Sequence, residues 1–339
     1  MKLTLVWQSK CFAERDWIPR LFRDFIGEQI HDVSEDICEG NYDFAPDNCL
    51  LVDSYLHCRP FDYYKKFRGK NAFLLHLCDE TYEGGYAAYE NFRAVFRFYH
   101  SAFFNPRRVL TLPLGFSSGF ESTPTYPRAS DRPYLWSFLG AANKSSRPEM
   151  IRALAPIAPN FTLITDQGNT TRFGKREYEQ FLRDSVFVPS SMGNVNLECF
   201  RIYESLEFGA IPILEKRSTL DYFTHLYGKH PLPTFSSWPK AARFLKQIGT
   251  NKPALDALQA ECMSWWQSYQ QTIHQRIAEH ITNPPTSAAG PYVYWPRKLP
   301  GSQIVELLRH HTVPAVIRRI KLQLNRLKKE GRLRKTTGA

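Results

Sequence analysis

Short, unbroken apolar runs recur along this 339-residue chain, spaced by about 25 residues in its middle part. Leu3–Trp7, 50–53, 73–77 and 109–114 occupy the first part; 134–139, 161–165, 186–189 and 210–214 follow. Most carry one polar residue or none, rather than a polar residue at every second position. That pattern suits parallel strands covered by helices on both faces. Segments with helical spacing fall between them, at 17–30, 86–99, Arg147–Leu154, 176–183 and 197–208. Strand, loop and helix in repeated order predict an α/β fold built from doubly wound, Rossmann-like sheets.

Residues 116–133 interrupt the series with Gly, Ser, Thr and Pro and little periodicity, and read as a linker. The expected domains are therefore 1–120 and 133–265, both Rossmann-like, with a ligand cleft between them. A long helical stretch over 254–281 and a Pro-rich loop over 284–300 follow, so 266–301 reads as a helix and crossover. The remainder, 302–339, is a basic tail in which Val313, Val316, Ile317, Ile320, Leu324 and Leu327 fall at helical spacing.

Charge needs care here. The chain carries +11, but residues 315–339 alone hold nine Lys/Arg and one acid, leaving only +3 elsewhere. With a nearly neutral body, the overall charge is poor evidence for a nucleic-acid-binding domain. The tail over 315–335 reads as a basic amphipathic helix for an anionic membrane surface, with a solvated helix or one packed on its own protein as the alternatives. Seven scattered cysteines without a C-x-x-C pair argue against a disulfide framework. Leu3–Trp7 is too short for a signal sequence, and Lys10, Glu14, Arg15 and Asp16 follow at once. With no apolar run of about 20 residues, the expected setting is cytoplasmic, with the inner membrane face as a possible surface.

The segment 188–215, VPSSMGNVNLECFRIYESLEFGAIPILE, carries the most chemistry. A strand ends in a Ser/Gly/Asn loop, and Asn196 can cap the helix that follows. Free amides at that helix start attract an anion. Arg201 and Glu204 share a helix face at i and i+3, as an intrahelical ion pair or as a phosphate cation beside a ribose carboxylate. The run Arg201-Ile-Tyr-Glu204-Ser-Leu-Glu-Phe-Gly209-Ala-Ile-Pro212 resembles the R-x-x-E-A-L-x-x-G-x-x-P signature of exostosin-like glycosyltransferases. Trp136-Ser-Phe-Leu-Gly140 with Ser145-Ser-Arg147 is similar to that family's F-x-G…R segment. The resemblance implies a GT-B architecture with the nucleotide-sugar on the C-terminal domain. It implies a donor site made of Gly140, Lys144, Arg147, Ser190, Ser191, Asn194, Arg201 and Glu204.

In the N-terminal half, His76-Leu-Cys-Asp79-Glu80, then Arg97-Phe-Tyr99 and Pro113-Leu-Gly115, are similar to an H-x-G-D-E…R-x-Y…P-L-G pattern of the ribitol xylosyltransferase branch; Cys78 stands where that pattern has Gly. A carboxylate at the end of a parallel strand faces the ligand crevice. Asp79 or Glu80 is thus a candidate general base, the alternative being a helix cap and a solvated acid. His76 and Arg97 belong to the acceptor side, and Arg97 equally suits a structural ion pair. No D-x-D triplet occurs, so Lys144, Arg147, Arg201 and helix N-termini are expected to hold the diphosphate without metal. Gly168 to Arg176 is no phosphate loop, since five residues separate its glycines and Arg176 replaces the Ser/Thr.

The expected activity is an inverting, metal-independent transfer from a UDP-sugar to a hydroxyl of a polysaccharide or lipid-linked glycan, such as capsule or O-antigen, with no cofactor beyond the donor. A sugar-nucleotide enzyme of another reaction and a catalytically silent glycan-binding scaffold are the rivals. The first needs a different product, and the second ignores loss of Asp79 and Glu80.

Overall fold

The computed structural model describes residues 2–293, apart from 81, 83, 121–124, 166–173, 194–195 and 218–220. The tail over 302–339, with its membrane-surface reading, lies outside the described residues. The first sheet contains β1 (Leu3–Trp7), β2 (Ile26–Asp32), β3 (Cys49–Ser54), β4 (Ala72–Leu77), β5 (Ala94–Arg97) and β6 (Val109–Thr111), all parallel, in the order β2-β1-β3-β4-β5-β6. The second contains β7 (Tyr134–Gly140), β8 (Asn160–Ile164), β9 (Ser185–Ser190), β10 (Ile211–Glu215) and β11 (Thr234–Phe235), also parallel, in the order β11-β10-β9-β7-β8.

Both sheets wind alike. The second strand of each lies on one side of the first, and the third and later strands lie on the other. The winding reverses between β1 and β3 and again between β7 and β9. In such sheets ligands bind outside the C-terminal strand ends at the reversal. The molecule is thus two Rossmann-like α/β units, the GT-B arrangement.

The apolar runs explain the layers. Successive strand residues face opposite ways. In the first sheet Leu5, Trp7, Leu50, Val52, Phe73, Leu75 and Phe96 enter one buried cluster, while Val6, Leu51, Leu74 and Val95 enter another. A sheet buried on both faces needs apolar residues throughout. The first of these clusters continues into the second unit, through Phe138, Phe187, Ile211 and Ile213.

Helices connect the strands: α1 (Trp17–Leu21), α2 (Ser34–Cys38), α3 (Phe61–Lys65), α4 (Arg147–Leu154), α5 (Lys175–Asp184), α6 (Phe200–Glu207), α7 (Tyr222–Tyr227), α8 (Trp238–Ile248) and α9 (Lys252–Thr282). The long helix α9 is capped by Asn251, whose side chain accepts the Ala254 N–H. It buries Cys262, Met263, Trp266, Tyr269, Ile273, Ile277 and Ile281 at helical spacing. Trp266 stacks on Trp17 of the first unit at 6.0 Å between ring centroids. Beyond α9 the chain returns to the first unit, where Tyr292 is buried and donates its hydroxyl to the Phe92 carbonyl at 3.2 Å. No helix among the described residues is long and apolar enough to cross a membrane.

Two expected helices are wrong. Residues 17–30 split into the short helix α1 and the edge strand β2, with Ile30 exposed rather than packed on a helical face. Residues 86–99 split into a 3-10 turn, Tyr86–Asn91, and β5, whose residues are all buried between β4 and β6. Tertiary pairing overrides a helical spacing that chance aromatics produced. Helix α6 begins at Phe200 rather than 197, with Cys199 as its cap.

If α9 joins the two units through its buried stripe, Ile273→Ala costs about 2–5 kcal/mol in urea denaturation. A loss below about 1 kcal/mol would show that the stripe contributes little.

Candidate functional site

At the second reversal point, β7 ends at Gly140 and α4 begins at Arg147, while the chain leaving β9 leads into α6 and Arg201. Gly140 has φ +147, a region that favours glycine. A methyl group there would meet Arg201 Nη2 at 3.1 Å and Arg147 Nη1 at 3.7 Å. The two guanidinium groups therefore converge over the strand end. Arg201 donates to the Leu139 carbonyl at 2.8 Å and Arg147 to the Ala141 carbonyl at 2.9 Å. Both guanidiniums also lie over the Phe138 ring, at 4.8 and 5.7 Å.

Neither arginine forms an ion pair among the described residues, and Arg147 Nε is buried without a partner. Burial, and then the Arg201 charge, lower the Arg147 pKa. Burial also opposes the Arg201 charge, but Tyr178, Cys199 and Glu204 outweigh it and raise that pKa. Two cations held side by side at a strand end and two helix starts suit a diphosphate.

The other donor-side candidates divide. Ser190 and Ser191 are buried at the end of β9; Ser190 donates to the Val188 carbonyl at 3.3 Å, and the Ser191 hydroxyl has no partner. Lys144 is half-buried, and its carbonyl accepts the Arg147 N–H at 3.0 Å. Asn194 lies outside the described residues, as do residues 166–172. Asn196 is not the cap of α6; its side-chain oxygen accepts the Glu198 N–H at 3.1 Å.

Glu204 does not pair with Arg201. Its carboxylate accepts the Ser117 hydroxyl at 2.8 Å and the Tyr178 hydroxyl at 2.9 Å. Burial raises its pKa against those two donors.

On the acceptor side the neighbouring acids part company. Asp79 is buried and accepts from Arg97 at 3.2 Å and from Tyr86 at 2.8 Å. Arg97 is itself fully buried, 3.6 Å from the centroid of the Phe104 ring. Burial opposes its charge, yet Tyr89, Asp79 and Tyr86 outweigh burial and raise its pKa. The structural ion pair is the arrangement present. Glu80, by contrast, reaches the second unit, where it accepts the Asn196 N–H at 3.1 Å. Cys78, at a position where glycine was the pattern, takes a left-handed φ of +55 and redirects the chain between β4 and Glu80. His76 is buried, shares a 2.7 Å hydrogen bond with Tyr89, and is pushed down to about 3 by burial, so it is neutral.

Sequence reasoning passed over Glu198. It is buried between the units and accepts the Leu114 N–H at 2.7 Å, the Tyr222 hydroxyl at 2.8 Å and the Tyr203 hydroxyl. Its signal was an acid placed just ahead of a motif helix, which without the partners reads as surface. Tyr178 opens a segment, 178–189, that follows the family order but was given no role, and Ser117 sits in the linker with no motif around it.

A family model described as the RXYLT1 C-terminal domain matches residues 120–284. The chain is 27% identical over 146 residues to ribitol-5-phosphate xylosyltransferase 1 of Mus musculus, covering 40% of this chain and 32% of that protein. It is 28% identical over 132 residues to the Homo sapiens protein, covering 36% of this chain and 29% of that one. The match spans about a third of those relatives. Among solved structures, an α1,3-fucosyltransferase aligns with TM-score 0.48 and 12% identity, covering 81% of this chain and 90% of that one. Anabaena Alr3699/HepE in complex with UDP and glucose aligns with TM-score 0.47 and 9% identity, covering 83% and 99%. The family-model match covers Gly140, Arg147, Arg201 and Glu204.

Burial lifts the Glu198 pKa from 4.5 to about 6, opposed by its Tyr203, Leu114 and Tyr222 donors. The folded chain then holds that proton more tightly than the unfolded one. Stability should fall by about 2 kcal/mol as pH rises from about 4.5 to about 6. Glu14 and Glu204, which burial also raises, add to the wild-type slope, so in denaturant titration across pH Glu198→Gln should remove only this share of about 2 kcal/mol; an unchanged slope in the variant would contradict the assignment.

Proposed function

We propose that this chain is a glycosyltransferase of the exostosin-like group that takes a sugar from a UDP-sugar and transfers it, with inversion, to a hydroxyl. The convergence of Arg147 and Arg201 at Gly140 carries the reading. In this scheme their charges meet the two phosphates of the donor, helped by Lys144, the Ser190–Ser191 turn, Asn194 and the N-termini of α4 and α6. The charge that builds on the leaving diphosphate is thereby stabilised without a metal. Glu204 keeps its bond to Ser117 and takes a ribose hydroxyl in place of the Tyr178 hydroxyl.

Of the two acids, Glu80 is the better base, because Asp79 is committed to Arg97. Breaking a buried ion pair costs about 3–5 kcal/mol, so Asp79 and Arg97 hold the turn that presents Glu80. The acceptor oxygen attacks the anomeric carbon, and its proton passes to Glu80. The bond from that carbon to the diphosphate breaks, and UDP leaves with the electron pair. His76, neutral and buried, packs behind this wall. The similarity to ribitol-5-phosphate xylosyltransferases makes UDP-xylose and a pentitol phosphate the first donor and acceptor to try. A polysaccharide or lipid-linked glycan at the cytoplasmic membrane face remains the broader acceptor class of the reading, with the tail over 315–335 as the contact.

A panel of UDP-, GDP-, CMP- and dTDP-sugars, with EDTA present, tests this. Binding selective for UDP-sugars should survive EDTA and weaken at least about tenfold in Arg147→Met and Arg201→Met. Binding to no donor would overturn the proposal and favour the glycan-binding scaffold. Glu80→Gln should keep donor affinity and lose about 10²–10⁴-fold in turnover. Unchanged turnover would remove Glu80 as the base.

A further inference from the structure

The first reversal point, between β1 and β3, carries residues that the scheme above does not use. The two strand ends are tied together there, since the Ser9 and Ser54 hydroxyls share a hydrogen bond of 2.7 Å. Ser9 also accepts the Cys11 N–H at 3.0 Å, which turns the chain after β1. Two aromatic rings stand exposed beside this tie. Phe12 is 51% exposed and Tyr55 45% exposed, in a molecule that buries most of its large rings. Both are held in place. Arg15 lies over the Phe12 ring at 4.4 Å and pairs with Asp32, and Tyr55 meets His57 edge-on at 6.2 Å. Tyr55 takes a left-handed φ of +56, an uncommon conformation for a bulky residue and one found at ligand sites.

Glu14 lies just beyond Phe12 and is 3% exposed. Its Oε2 is buried without a partner. A buried carboxyl oxygen without a donor is costly, and such groups persist where a ligand completes them. Burial, and then Cys11, push the Glu14 pKa up to about 7. Around it stand Cys11 from the β1 end, Cys78 from the β4 end and Tyr99 from the β5 end, each within electrostatic reach. Glu80 acts on the same Cys78 and Tyr99.

We infer that Glu14, which follows Phe12 in the turn after β1 and has an unpartnered carboxyl oxygen, binds a hydroxyl of the acceptor, a sugar or polyol seated at the reversal point of the first sheet, where Phe12 and Tyr55 are exposed. The inference rests on the glycosyl-transfer reading above. A sugar ring or carbon chain has apolar C–H faces and a rim of hydroxyls. The rings take the first, as aromatic surfaces take apolar faces. Glu14 takes a donor hydroxyl next to the one that Glu80 deprotonates. Glu14 is then a specificity-determining residue, and the two acids read two hydroxyls of one acceptor.

The test uses the full chain saturated with UDP. Methyl pyranosides of the gluco, galacto and xylo series and free pentitols serve as probes, and ligand-observed NMR gives their affinities. At least one probe should bind the wild type. Glu14→Gln and Tyr55→Ala should each weaken that probe about tenfold or more and leave UDP affinity unchanged. The bound probe should also shift the carbon-13 carboxyl signal of Glu14, which a purely structural role would not produce. Equal probe affinity in Glu14→Gln, or no probe bound by the wild type, overturns the inference. Failure of the glycosyl-transfer reading shows separately, as loss of UDP binding by the wild type.

Discussion

The two units are held by a pair of buried carboxylates on the chain around α6. Glu198 takes the Leu114 N–H, and Glu204 takes the Ser117 hydroxyl. Leu114 and Ser117 belong to the peptide that leaves the first sheet. Dehydrating a carboxylate is expensive unless donors replace the water it loses. Backbone amide, serine and tyrosine donors do so here, and charge-assisted bonds of this kind are among the stronger ones. A segment that carries the proposed donor arginine thus also fixes the exit of the acceptor-side sheet.

Everything at the cleft follows from that clamp. It sets the chain that leaves β4 against the loop that follows β9. Glu80 then meets Asn196 across the gap, and Asn196 meets the Tyr82 hydroxyl at 3.1 Å. The pair Asp79–Arg97 works behind this contact. It fills an aromatic pocket with two opposite charges and leaves the next carboxylate to face the other unit. Helix α9 completes the frame. Trp266 donates to Glu207 of α6 at 2.9 Å, and Gln270 accepts from Arg20 at 2.9 Å, so one helix braces both units.

Much of this is legible in the chain itself, and the exceptions have physical causes. Strands buried on both faces are read as unbroken apolar runs, so β1, β3, β4, β7 and β9 were visible. The edge strand β2 was not, because Glu28, Gln29, His31 and Asp32 give it a polar pattern. Strand β5 hid behind a turn whose Tyr89 and Phe92 mimic helical spacing. Arg147 and Arg201 were legible because short motifs surround them, and the fold brings them together at Gly140. The different settings of Asp79 and Glu80 were not, since they depend on Arg97 and Asn196. Glu14 and Glu198 carry no local motif; the first stands out by its burial alone, the second by burial and distant partners.

The central claim is that the arginine pair at Gly140 receives the diphosphate of a sugar nucleotide. A crystal structure of the full chain with UDP tests it most directly. The account predicts both phosphates within hydrogen-bonding distance of Arg147 and Arg201, above the end of β7. UDP bound elsewhere, with those two guanidiniums still on their backbone carbonyls and free of phosphate, would contradict it.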